Sequence, residues 1–143
     1  MRDIVFRGKK AESGEWCYGY LVPFPDGISG FALVRECYLN KSKWQIYAPD
    51  YHEVLHDTIG QYTGMTDYFN TPVFEGDIID VGDIRGVIRY GEHQYNPSQS
   101  GKTDVGFYVE WVGKFDGEFR SDIGYWLNCR DAVIRGNIWD NRD

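Results

Sequence analysis

Histidine, cysteine and proline are scarce in this chain of 143 residues, at three, three and five copies. Cys17, Cys37 and Cys129 include no C-x-x-C pair and are odd in number. Neither a disulfide framework nor a thiolate zinc site is expected of them, and they read as free thiols kept in a reducing compartment. No segment approaches the roughly twenty apolar residues of a membrane span. The stretch from Met1 to Arg7 lacks the apolar run of a secretory signal, so a soluble, cytoplasmic protein is expected. Basic charge is also short: 15 Lys and Arg stand against 22 Asp and Glu, a formal charge of −7. Binding to nucleic acid draws on clustered Lys and Arg, and an anionic membrane surface asks for the same. Scattered cations in an acidic chain make both unexpected. Acidic charge suits solubility, and it suits docking on a basic protein surface.

Aromatic residues, in contrast, make up 17% of the chain, with eleven Tyr, eight Phe and five Trp, and seventeen Gly are spread along it. Aromatics favour pleated, half-buried surfaces, and regularly spaced Gly marks turns, so the composition points to strands rather than a helical bundle. Ile4–Lys9 and Trp16–Val22 read as strands joined by a polar turn at Ala11–Glu15. Phe31–Leu39 and Trp44–Ala48 are further strand candidates. Tyr51–Asp57 is the best candidate for a short helix. Val73–Val81 and Arg85–Tyr90 flank a Gly82-Asp83 turn. Glu92–Thr103 is polar and loop-like, Gly106–Val112 alternates, and Phe115–Arg120 offers a short edge. Short strands joined in this way close readily into a small SH3-like barrel. The expected fold is therefore mostly β, all-β or β-rich α+β. A small SH3-like barrel would occupy the C-terminal part, roughly Tyr62 to Ile138, with an N-terminal β subdomain packed on it. The boundaries are 1–59 and 60–143, within one compact unit. Phe74, Ile78, Val87, Ile88, Val109, Trp111 and Ile138 should supply its core.

One segment matches an enzyme motif. His52-Glu53-Val54-Leu55-His56 fits H-E-x-x-H, in which two imidazoles on one helical face hold Zn²⁺ and the Glu polarises bound water. Pro49 and Gly60 leave about ten residues for that helix, short for a stable one, and His93 is the only other histidine. A zinc-dependent hydrolase using His52, Glu53 and His56 is thus an alternative to a protein with no metal and no cofactor. Glu75 with Asp77, two apart on one strand face, could be paired acids, but such carboxylates are usually solvated or capping; Asp77, Asp80 and Asp83 could hold calcium, but their spacing matches no known loop pattern. Trp111, Tyr125 and Trp126 could stack bases in a nucleic-acid-binding small barrel, the second alternative.

Three further pieces carry a family resemblance. Ile4-Val5-Phe6-Arg7-Gly8-Lys9, with Gly14-Glu15-Trp16 and Tyr18-Gly19-Tyr20-Leu21, opens the chain. Thr58-Ile59-Gly60-Gln61-Tyr62-Thr63-Gly64-Met65-x-Asp67 and then Val73-Phe74-Glu75-Gly76-Asp77-Ile78-Ile79 form its middle. Gly136-Asn137-Ile138-Trp139-Asp140-Asn141 closes it. In this order the chain resembles the YopX family of phage and prophage proteins. Tyr68-Phe69-Asn70-Thr71-Pro72 stands where that family usually has a Gly-containing turn. The resemblance implies no defined enzymatic activity. It implies an accessory protein of the host bacterial cytoplasm that acts by contact with itself or with an unidentified host or phage protein. It also implies structural roles for Gly60, Gln61, Tyr62, Thr63, Gly64, Phe74, Glu75, Gly76, Asp77, Gly136, Asn137 and Asp140. Gly76 should take a positive φ, and Asp77 should accept a backbone N–H at the adjoining turn. The aromatic content suggests self-association, with Tyr125, Trp126 and Leu127 as the contact surface.

Overall fold

The computed structural model describes residues 5–23, 31–34, 38–40, 45–47, 51–94, 103–113 and 120–140. Twelve strands run in chain order among them: β1 Phe6–Lys9, β2 Trp16–Pro23, β3 Phe31–Val34, β4 Tyr38–Asn40, β5 Gln45–Tyr47, β6 Tyr51–Val54, β7 Gly60–Thr66, β8 Pro72–Phe74, β9 Asp77–Val81, β10 Ile84–His93, β11 Asp104–Trp111 and β12 Val133–Asn137. A 3₁₀ turn, His56–Thr58, precedes β7, and one seven-residue helix, α1 Ile123–Cys129, precedes β12. The fold is mostly β, as the composition requires. The chain divides into two compact units, 1–62 and 63–143.

In the first unit β1 and β2 form the expected hairpin, with Phe6 opposite Gly19 and Lys9 opposite Trp16. Its turn is closed by Lys10 N–H to Glu15 O (2.8 Å) and Gly14 N–H to Lys10 O (2.9 Å), with Gly14 at φ +75°. β2 pairs with β3, and β3 with β6, all antiparallel. Successive strand residues point to opposite faces. On β2 the odd positions Cys17 and Leu21 turn inward to join Leu33, Val54, Phe6 and Ile59 in a small core. The even positions Tyr18, Tyr20 and Val22 turn outward and stay exposed. The sheet curls until its far strand meets its first. Lys10 bridges Val54, Leu55 N–H bonds Lys9 O and Ala11 N–H bonds Glu53 O, both at 2.9 Å. The 3₁₀ turn lets the chain pass from this contact to the next: buried Thr58 accepts Lys9 N–H (2.9 Å) and donates to Leu55 O (2.7 Å) through its hydroxyl. β7 then pairs with β1, Gln61 lying opposite Phe6. β4 and β5 form a separate hairpin.

The short helix expected at Tyr51–Asp57 is instead β6 followed by the 3₁₀ turn. Pairing on both sides, with β3 and with Lys9–Ala11, overrides a local helical preference that is weak at this length.

In the second unit, four antiparallel strands lie in the order β11-β10-β9-β12, with a bulge between Ile134 and Gly136. Gly82 and Asp83 form the expected turn between β9 and β10, Val81 standing opposite Ile84. The SH3-like barrel expected here is not closed. The sheet is open, and its apolar face is covered by α1. Ile79, Ile88, Val109 and Trp111 from the sheet pack with Ile123, Trp126 and Leu127 from the helix and with Val73 and Ala132. Phe74, Val87, Ile88, Val109 and Trp111 are buried as expected, while Ile78 and Ile138 are half-buried. The indoles of Trp111 and Trp126 meet edge to face at 4.8 Å, and both donate to the carbonyl of Arg120 (3.2 and 2.7 Å). Each buried N–H thus has the partner that burial demands. The contact surface expected at Tyr125-Trp126-Leu127 is therefore corrected: Trp126 and Leu127 are each 5% exposed and belong to this core.

Candidate functional site

β6 carries the H-E-x-x-H residues, and the strand separates them. His52 lies opposite Leu33, on the face shared with buried Val54, while Tyr51 and Glu53 turn to the other face. His56 opens the 3₁₀ turn, exposed, its Nδ1 3.4 Å from Asp57 Oδ1. The helical face on which both imidazoles would hold one ion is not formed. Among the described residues no three His, Cys, Asp or Glu side chains gather as a metal site would need. The calcium reading fares no better. Asp77 is buried in a turn, Asp83 is exposed, and Asp80 is held by two guanidinium groups, Arg85 Nε at 2.8 Å and Arg135 Nε at 2.7 Å. The hydrogen bond from Arg85, opposed by partial burial and aided by Arg135, keeps the Asp80 carboxyl below its ordinary pKa. Burial pushes the Cys17 thiol up, against a smaller pull from Lys10. Trp111 and Trp126, proposed to stack bases, are inaccessible to them.

The family-signature residues lock turns. Thr63 donates its hydroxyl to Val73 O (2.8 Å) and accepts Met65 N–H (3.2 Å). Tyr62 N–H bonds Val5 O (2.7 Å), and Gly64 sits at φ +85°. Gly76 has φ +92°, and a Cβ there would stand 2.2 Å from the Trp139 ring. Its N–H bonds Ile88 O (2.7 Å), and its carbonyl accepts Ile138 N–H (3.0 Å). Asp77 Oδ2 accepts Phe74 N–H (2.8 Å), and half-buried Glu75 stands between them in the chain. Next to Gly136, Asn137 Oδ1 accepts the N–H groups of Trp139 (3.0 Å) and Asp140 (2.9 Å), and its amide reaches Asp140 Oδ2 (3.1 Å). Asp67 is buried and takes three backbone N–H groups, those of Phe69, Thr71 and Ile134. It fixes the Tyr68–Thr71 turn, in which Asn70 adopts φ +63°.

The first unit also presents polar and aromatic groups to solvent. The β1–β2 turn passes the end of β6 and leaves a cleft of about 260 Å³ lined by Lys10, Ala11, Glu12, Tyr51, His52 and Glu53. The register extends this site outward. Tyr20 is opposite Val34 and Val34 opposite Tyr51, while Val22, Ala32 and Glu53 form the next row on the same face. Tyr18, Tyr20 and Tyr51 are 51, 55 and 60% exposed above buried Ala32 and Val34. Trp16, on the same face, is covered by Arg7 and Lys9, whose cationic groups sit 4.7 and 5.3 Å from its ring centre. Sequence reading placed functional weight on the histidines and missed the tyrosines and Glu12. The alternation Trp16-x-Tyr18-x-Tyr20-x-Val22 was the available signal, because a strand that turns Cys17 and Leu21 inward turns these outward.

Comparison with known proteins adds the following. The family model described as YopX protein matches residues 5–142. No curated protein matches the chain. Among solved structures, the chain is similar to protein EF1440 from Enterococcus faecalis, known from a crystal structure. The TM-score is 0.61, with 19% identity over 100% of this chain and 98% of that one. At that identity the likeness is one of fold.

Proposed function

Because this chain belongs to the YopX family, we propose that it is a phage- or prophage-type accessory protein, without chemistry of its own, that works by contact with another protein. The observation that carries the reading is the outward face of the first unit's sheet, where Tyr18, Tyr20 and Tyr51 stand exposed in register. Tyrosine brings large apolar area with a polar tip at small entropic cost, which is why it is enriched in interfaces. The signature residues, in contrast, are occupied in holding turns. The partner is a host or phage protein or a second copy of the chain. Affinity capture from host lysate, run in parallel with wild-type protein and a Tyr18→Ala/Tyr20→Ala variant, tests it. A protein retained by the wild type and lost by the folded variant supports the reading. Identical capture profiles sink it.

A further inference from the structure

The cleft beside β6 says what chemistry such a partner presents. Its walls bring two carboxylates, Glu12 and Glu53, one ammonium, Lys10, and the imidazole of His52. With His neutral, the formal charge is −1. Both Glu side chains are exposed, and neither is in an ion pair with any described residue. Their backbone is fixed: Ala11 N–H holds Glu53 O at 2.9 Å, and Lys10 bridges Val54. Both Glu positions therefore border the cleft before anything binds. Tyr51, 60% exposed, also lines the cleft and brings an aromatic ring to it. At about 260 Å³ the space lies below the range of pockets for drug-sized ligands and suits one long side chain.

We propose that this cleft receives an arginine side chain of the partner protein, a deepening that rests on the contact reading above. Guanidinium is the cation that fits. It is planar, meets carboxylates in a two-pronged geometry and stacks on aromatic rings, whereas an ammonium does neither as well. The residue is part of a protein rather than a free small molecule because the same sheet face continues away from the cleft. Glu53 and Tyr51 share it with Tyr20, Val22 and Tyr18, so a chain bearing the arginine has an apolar surface to lie on. The cleft's own balance, two carboxylates against one ammonium, matches a cationic side chain.

The test is an amide NMR titration of the full-length chain with the capped tripeptide Gly-Arg-Gly. Its counterpart, Gly-citrulline-Gly, has closely the same shape but carries a neutral urea, whose carbonyl oxygen accepts where the guanidinium donates. The arginine peptide is expected to give saturable shifts centred on Ala11, Glu12, Tyr51 and Glu53. These should weaken as salt is raised and be lost in the double variant E12Q/E53Q. Both substitutions are at exposed positions, and an otherwise unchanged spectrum certifies the fold. The citrulline peptide is expected to leave these amides in place. Equal shifts from citrulline, undiminished binding by E12Q/E53Q, or no saturable shift at these residues would each overturn the proposal. If the arginine peptide is inert while Tyr18→Ala/Tyr20→Ala still abolishes partner capture, the cleft proposal is wrong and the contact face stands.

Discussion

At the scale of single residues, the signature positions divide by mechanism. Gly76 is required twice over: its φ of +92° strains any residue with a Cβ, and that Cβ would enter the Trp139 ring. Gly76→Val should therefore cost about 3 kcal/mol, measured by urea denaturation, and a change within error of zero would contradict both causes. Asp67 answers three backbone N–H groups from two segments. Asp67→Ala leaves them without that acceptor and should cost roughly 3 kcal/mol in the same assay. Asp80 differs, because its contribution depends on pH. Its folded carboxyl titrates below its ordinary value, first because Arg85 donates a hydrogen bond to it. A depressed folded pKa gives stability that is present above the unfolded value and lost as pH falls through the folded one. The stability difference between wild type and Asp80→Asn should thus be flat near neutrality and vanish in strong acid. It should not exceed about 1 kcal/mol, since both guanidinium groups are more than half exposed.

At the scale of elements, burial in α1 predicts the effect of cutting a side chain. Trp126→Ala removes an indole from a core it shares with Trp111 and should cost about 3–5 kcal/mol. It should also erase much of the near-UV circular dichroism. A variant that keeps full stability would show that this tryptophan is not a core residue. The same helix marks the limit of what sequence revealed. The β1–β2 hairpin, the Gly82-Asp83 turn and the left-handed Gly76 were legible, because alternation and turn chemistry act within a few residues. The helix Ile123–Cys129 was not legible, since Tyr, Trp and Leu fit a strand as well as a helix. What selects the helix is the open apolar face of β9–β11 that it covers, a condition set by residues tens of positions away. The H-E-x-x-H segment failed in the opposite direction. Its spacing suits a helix, but pairing to β3 and to Lys9–Ala11 holds it extended. Glu12 could not be linked to Glu53 from sequence, because only the closing bridge of the first unit brings them to one cleft.

At the scale of the whole molecule, charge is unevenly shared. Residues 1–62 hold seven Arg and Lys against eight Asp and Glu, a net of −1, while residues 63–143 hold eight against fourteen, a net of −6. By its own charge the first unit would thus repel a second copy only weakly. If the chain pairs with itself, light scattering should give a multiple of 16.6 kDa. Tyr18→Ala/Tyr20→Ala should return it to a single mass, and a mass of 16.6 kDa for the wild type at micromolar concentration would rule out self-pairing. The passage between the units has a different consequence. β7 gives its first residues to β1 and its later ones to β8, so the boundary falls inside a strand and not in a linker. This makes the junction a poor crossover point for recombination between relatives. A recombinant joined at Tyr62 and Thr63 inherits half a strand from each parent and must satisfy two sets of pairing partners with one continuous ribbon. Exchange between relatives should therefore leave the residues around 60–66 together, travelling as a block with β1 on one side or β8 on the other.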